Sequence, residues 1–212
     1  MKRSVVFAIV VLSFICTIFT GAFAQERKPA SLTKQQAEEF IKGWPGEAKK
    51  SATAMIQKYG APNEYTESML IWNNNGPWMR TIVYREETDH HFPMPHKDVL
   101  EQFVGYEVPV DKYDDLAQYD GSVIVERTKG EISARCDKEE ANFLALNLAH
   151  DIVAGKRSVE DARNFYAQTI SALMKGEKPG YTQKLMFTSK RNAGDKDKPA
   201  MSEAQMREMK NK

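Results

Sequence analysis

Residues 89–96 read Asp-His-His-Phe-Pro-Met-Pro-His and gather three of the chain's four histidines around one methionine. Imidazole binds zinc and copper, and a thioether suits copper(I), so His90, His91, Met94 and His96 are the candidate metal ligands, with copper or zinc as the cofactor. The local backbone works against convergence. Phe92 and Met94 each precede a proline, which pushes both toward extended conformations. At about 3.1 Å per residue such a segment sets His91 and His96 roughly 15 Å apart. Two imidazoles on one zinc each need a bond of about 2.0–2.1 Å. His90 and His91, adjacent in extended chain, point to opposite sides. A shared site needs a turn or a cis proline within Phe92–Pro95. Without one, residues 87–97 are a stiff connector.

Other residue types carry chemistry with less local support. Cys136 precedes an expected helix, where a thiol can become reactive, but a small buried side chain ending a strand is the preferred reading. His150 lies thirteen residues into that helix, which puts it roughly 20 Å from Cys136 and excludes a Cys–His dyad through the helix alone. It aligns with Phe143, Leu146 and Val153 as a half-buried histidine, with a ligand-facing role as the alternative. Trp72 and Trp78 flank Asn73–Pro77 and offer either an aromatic platform for a glycan or peptide, or packing on a hairpin's buried face. Met201, Met206 and Met209 suit copper(I) or the apolar side of a tail helix. The acidic runs have the character of solvated faces. The H-E-x-x-H, G-x-S-x-G and P-loop patterns are absent, so no catalytic residue is assigned.

The elements that must position these groups follow from caps, breakers and periodicity. Thr33 caps a helix over 34–44 that the Pro45-Gly46 pair ends, and a second helix over 46–59 stops at Gly60. Residues 68–72 and 78–86 form a hairpin around Asn73–Pro77, and 122–127 and 131–136 form another around Thr128–Gly130. Between them, 98–108 is strand or short helix and 110–121 a short acidic helix. Asp137 and Glu140 have the spacing of a capping arrangement for a helix over 137–154, and Ser158 starts its partner over 158–175. Residues 181–187 offer a last strand. Paired strands and paired helices imply an α+β fold: two antiparallel hairpins packed with an N-terminal helix pair and a C-terminal helical hairpin.

The N-terminus is an address. Lys2 and Arg3 precede an apolar run over 5–19, and Ala22 and Ala24 sit at the small-residue positions of a cleavage site before Gln25. The run is shorter than the roughly 20 apolar residues of a spanning helix. The expected organisation is a signal peptide at 1–24, a flexible leader at 25–30, one domain at 31–187, and a disordered or loosely helical tail at 188–212. The whole chain has 30 basic and 29 acidic residues; the signal removes two basic ones, so the mature charge is 28 − 29 = −1. That balance gives no reason to expect nucleic acid, and cleavage leaves no stable membrane anchor. Cys136 is the one cysteine outside the signal, so no disulfide framework forms.

The stretch Met55–Trp72, a helix ending in Tyr-Gly-x-Pro before a strand, resembles the helix-helix-hairpin modules of BamE-like envelope proteins, a likeness that covers residues 50–85. The chain departs from them in having no lipidated cysteine at the cleavage site, since Cys16 lies inside the apolar run. Residues 74–85, 98–109 and 133–156 are similar to exported bacterial proteins of unassigned activity. The export signal and the lack of a catalytic motif lead to a periplasmic or secreted bacterial protein with a non-enzymatic binding or envelope-associated role. A copper- or zinc-binding protein and an enzyme of unrecognised class are the alternatives. Expressed in a Gram-negative host, the protein should be recovered with Gln25 as its first residue; N-terminal sequencing that finds Met1 on the exported material overturns the signal reading.

Overall fold

In the computed structural model, residues 32–190 and 197–211 are described; the expected signal peptide and leader lie outside them. Helix α1 (Lys34–Phe40) begins with a capping box in which Thr33 and Gln36 satisfy one another's backbone N–H groups. A 3₁₀ turn at Ile41–Gly43 leads through Pro45 into α2 (Gly46–Tyr59). Proline has no side-chain acceptor to cap with. Instead Glu87 reaches across from the sheet, its Oε1 accepting the N–H groups of Glu47 and Ala48 at 2.8 and 3.1 Å. Gly60 ends the helix at φ +81°, a conformation that favours glycine.

The strands are β1 (Glu64–Thr66), β2 (Met69–Asn73), β3 (Arg80–His90), β4 (His96–Gly105), β5 (Val123–Glu126) and β6 (Glu131–Cys136). They form one antiparallel sheet in the order β1-β2-β3-β4-β6-β5. The expected pair of hairpins is therefore not two separate units, because β4 pairs with β3 on one side and β6 on the other. Residues 98–105, in a stretch whose apolar run was too short to decide between strand and helix, are strand, and the central place of β4 leaves seven of its ten residues buried. Helix α3 (Tyr113–Tyr119) links β4 to β5, and α4 (Glu139–Val153) and α5 (Val159–Met174) follow β6.

Helices α2 and α4 cover one face of the sheet. Leu70, Trp72, Val83 and Leu100 pack with Ala48, Ala52, Met55 and Ile56 of α2. Val104, Ile132 and Ala134 pack with Phe143, Leu144 and Leu148 of α4. Burying each large side chain here contributes roughly 1.5–3 kcal/mol. Residues 181–187 are not a strand: a 3₁₀ turn at Gly180–Thr182 and irregular chain lie on α4, where the Asn147 amide donates to the carbonyls of Tyr181 and Lys184 at 2.9 and 2.8 Å. The start of the expected tail is tied down, with Lys190 N–H on the Gly105 carbonyl at 2.9 Å. Further on, α6 (Glu203–Lys210) is capped by Ser202 and Gln205. Among the described residues no helix is long and apolar enough to cross a membrane.

The start of α4 departs from the expected cap. Lys138 occupies the N-cap without a side-chain bond, and Glu139 turns into the core. Its Oε1 accepts from Tyr59 Oη and Trp78 Nε1, both at 2.6 Å, and from Gln102 Nε2 at 3.1 Å, while Oε2 pairs with Lys58. One carboxylate thus joins the end of α2, the entry to β3, the middle of β4 and the start of α4. Burial opposes its ionisation, but the Lys58, Tyr59 and Trp78 donors outweigh that and hold its pKa below the usual glutamate value. The stabilisation is therefore present above the unfolded-state value of about 4.3 and is lost as pH falls through the lower folded value. Glu139→Ala strands three donors and should cost about 3 kcal/mol in urea unfolding. Lys58→Met, at a half-exposed end of the pair, should cost under about 1 kcal/mol.

Candidate metal centre

The histidine-rich stretch is the tip of the β3–β4 hairpin. Thr88 pairs with Asp98, Asp89 with Lys97, and His90 with His96, and the Phe92–Pro93 peptide is cis. The expected connector over 87–97 is corrected: the chain is paired strand up to His90 and again from His96, and only residues 91–95 turn. Phe92 fixes the tip, its ring 5.1 Å from Tyr166 of α5 and 6.4 Å from Tyr119 of α3, with the Arg163 guanidinium 3.9 Å above it.

A register shift decides which histidine enters. Near its start β3 turns odd-numbered residues toward the helices, pairing Thr81 with Gln102 and Val83 with Leu100. Between Val83 and Thr88 the pairing slips, with four residues of β3 set against Val99 alone. An odd slip exchanges the two faces of a strand. Beyond it the even-numbered Thr88 and His90 face inward, beside His96 and Asp98. His91 is turned out and exposed.

The inward groups converge. One donor atom each from His90, His96 and Asp98 lies within 4.8 Å of the other two. Asp98 Oδ1 is 3.1 Å from His96 Nε2, and Oδ2 is 3.4 Å from His90 Nδ1. Donors bonded to one tetrahedral zinc at about 2.0–2.1 Å stand about 3.3 Å apart, and each imidazole lies close to that distance from one of the two carboxylate oxygens. The Cys136 sulfur, at the end of β6, is also 3.3 Å from His96 Nε2.

Neighbours take up the remaining valences. His96 Nδ1 lies 2.9 Å from the Met94 carbonyl, which can only accept, so Nδ1 carries a proton and Nε2 is the nitrogen that faces the cluster. His90 Nε2 is 3.6 Å from Asp120, leaving Nδ1 turned to Asp98. The Ser122 hydroxyl donates to Asp98 Oδ2, and its N–H holds Asp120 at 2.9 Å. Asp98 Oδ1 is the group left over. It is buried on a residue 2 % exposed and makes no aligned hydrogen bond, its approach to His96 Nε2 lying off the donor direction.

Facing lone pairs require positive charge between them. Burial works against a charged His96 ring, but Asp98 and the Cys136 sulfur more than offset it and hold its pKa up to about 11. Burial pushes the Asp120 carboxyl up, opposed by the Ser122 N–H and His90 and reinforced by Asp98. Burial likewise pushes the Cys136 thiol up, with His96 only partly countering it. The sulfur therefore lacks the lowered pKa of a nucleophilic cysteine, and Asp98 competes for the imidazole nitrogen that would serve as its base.

The other sequence candidates lie elsewhere. Met94 reaches the centre only through its carbonyl, and its side chain is 44 % exposed. Trp72 and Trp78 are buried, Trp72 donating to the Gly60 carbonyl at 3.0 Å and Trp78 to Glu139, so neither offers a platform to a ligand. His150 is half-buried, with Nδ1 2.8 Å from Tyr106 Oη and its ring stacked on Phe187; burial and Lys156 lower its pKa. It belongs to the far end of α4. Asp98, Asp120, Ser122 and the approach of Cys136 to His96 were missed in sequence. The one available signal was the His96-x-Asp98 spacing, which puts both side chains on one face of a strand.

The chain matches no protein-family model, no curated protein and no solved structure. The likeness of residues 50–85 to BamE-like modules accordingly remains an expectation from sequence. Against a thiol-specific disulfide reagent at neutral pH, Cys136 should react at least about tenfold more slowly in the folded protein than in urea. Equal rates would show the sulfur to be open and activated.

Proposed function

We propose that this chain is an exported metal-binding protein whose centre is held by His90, His96 and Asp98, with Cys136 beside it. The observation that carries the reading is the convergence of His90, His96 and Asp98 donor atoms around a buried carboxylate oxygen that accepts no aligned hydrogen bond, with His96 Nδ1 and Asp98 Oδ2 held from outside by Met94 and Ser122. Fixed outer contacts of this kind orient the ligands of metal sites. The export part of the reading stands on the sequence of residues 1–24 and remains a proposal.

Zinc is the metal that fits best. Two imidazoles and a carboxylate suit a borderline divalent ion that imposes no geometry of its own. Copper(I) would want the Met94 thioether, which is turned to the surface. Binding is the role in view, since burial raises the pKa of Cys136, the thiol beside the donors.

The mature protein should bind one Zn2+ per chain in competition with a chromophoric chelator. His90→Ala, His96→Ala and Asp98→Ala should each weaken binding at least about 100-fold, and Ser122→Ala about tenfold through the lost hold on Asp98. His91→Ala and Met94→Ala should leave affinity unchanged. Wild-type affinity in the three ligand variants would dispose of the centre.

A further inference from the structure

A cavity of about 310 Å³ opens beside the centre, with His96 and Cys136 in its wall. Its apolar side comes from Tyr166, Ile170 and Met174, spaced four residues apart along one face of α5, and from the Pro93–Pro95 tip opposite. A shallower cavity shares Pro93, Met94, Ile170 and Met174, so the depression continues along α5. Met94 and Met174, 44 % and 66 % exposed, face each other across both cavities and make their rim apolar. Methionine is also the side chain that adapts best to varied apolar shapes.

We propose that this cavity takes a small carboxylic acid with an apolar body, whose carboxylate supplies the open coordination position of the metal. The inference rests on the metal reading above. Three protein donors leave a zinc ion one position short of tetrahedral, the arrangement in which a fourth ligand comes from outside. Around His96 Nε2, Asp98 occupies one side, and the Cys136 side borders the cavity. The lysines of the polar lining are each ion-paired, Lys50 with Glu47, Lys97 with Asp89 and Lys138 with Asp137, so the attraction for an anion comes from the metal itself. An anionic head at the metal and an apolar body along α5 match the two ends. The volume lies at the small end of ligand pockets, which span about 300–1,000 Å³, and selects a compact molecule.

The test uses the mature protein loaded with Co2+, whose visible absorption reports the ligands bound to it. Hexanoate and phenylacetate should shift the bands saturably, at least about tenfold more tightly than acetate, which has almost no apolar body. Ile170→Glu should weaken hexanoate at least about tenfold by placing a charge in the apolar wall. Met174→Glu, at an exposed position that cannot disturb the fold, should weaken it about threefold. Both variants should bind Co2+ as the wild type does. Unchanged spectra with every acid on the cobalt-loaded protein overturn the inference and leave the metal centre standing, as would a sulfur-to-cobalt band showing that Cys136 already fills the position. Equal responses to acetate and hexanoate, or hexanoate binding unaffected by both variants, also overturn it. Failure to take up Co2+ removes the metal reading and this inference together.

Discussion

The buried carboxylate of Glu139 is the constraint on which the arrangement depends. An ionised side chain that is nearly inaccessible to water is costly unless its oxygens are fully used, and here four donors use them. The donors come from three parts of the chain, Lys58 and Tyr59 at the end of α2, Trp78 ahead of β3 and Gln102 in β4, so the bonds fix the start of α4 relative to all three at once. The Trp78 ring, brought in by the same carboxylate, packs on Phe143 at 4.6 Å and closes the space beneath α4. With α4 held at its first turn, the two residues between β6 and the helix have little freedom. That is how Cys136 comes to face His96 and Asp137 to border the cavity.

The second constraint is the slip in β3. A regular β3–β4 hairpin would present Asp89 and His91 to the helices and turn His90 outward, with no partner for the His96–Asp98 face. The slip corrects the parity just before the ligands. It also gives Glu87 the freedom to cap α2, whose own N-cap position is a proline. One irregularity thereby serves both the helix that borders the cavity and the histidine that enters the centre, a placement typical of bulges near sites.

Much of the fold was legible because local chemistry announced it. Thr33 and Ser158 cap their helices, Gly60, Gly155 and Gly176 end theirs with positive φ, and the alternation in 78–86 and 131–136 marks strands. What failed was set by partners distant in sequence. Asp137 had the spacing of a cap, but the neighbourhood of Tyr59, Trp78 and Gln102 made an inward Glu139 the stronger arrangement. Residues 181–187 had the apolar pattern of a strand, but their carbonyls are taken by the Asn147 amide. The site was less legible than the fold. Adjacent histidines announce only that one faces each way, and which one enters depends on a slip that no local pattern encodes. Asp120 and Ser122 reach the cluster from beyond α3, visible only once β4 is known to pair with β6.

The division between fixed and adaptable parts bears on what the centre is for. His90, His96 and Asp98 all sit at paired positions of the β3–β4 hairpin, where the ladder between the two strands sets the side-chain origins. Ser122 is held through its N–H by Asp120, and Phe92 pins the turn between the histidines against three other side chains. The candidate ligands are therefore positioned by the sheet whether or not an ion is bound, unlike those of small domains that fold only around their metal. The opposite wall has another character at its rim, where Met94 and Met174 are unbranched, exposed and able to adapt without disturbing the core. A structural metal has no use for such a wall, since its coordination is closed by the protein. Rigid ligands on one side and a yielding apolar surface on the other is the arrangement expected where the last coordination position belongs to a molecule that comes and goes.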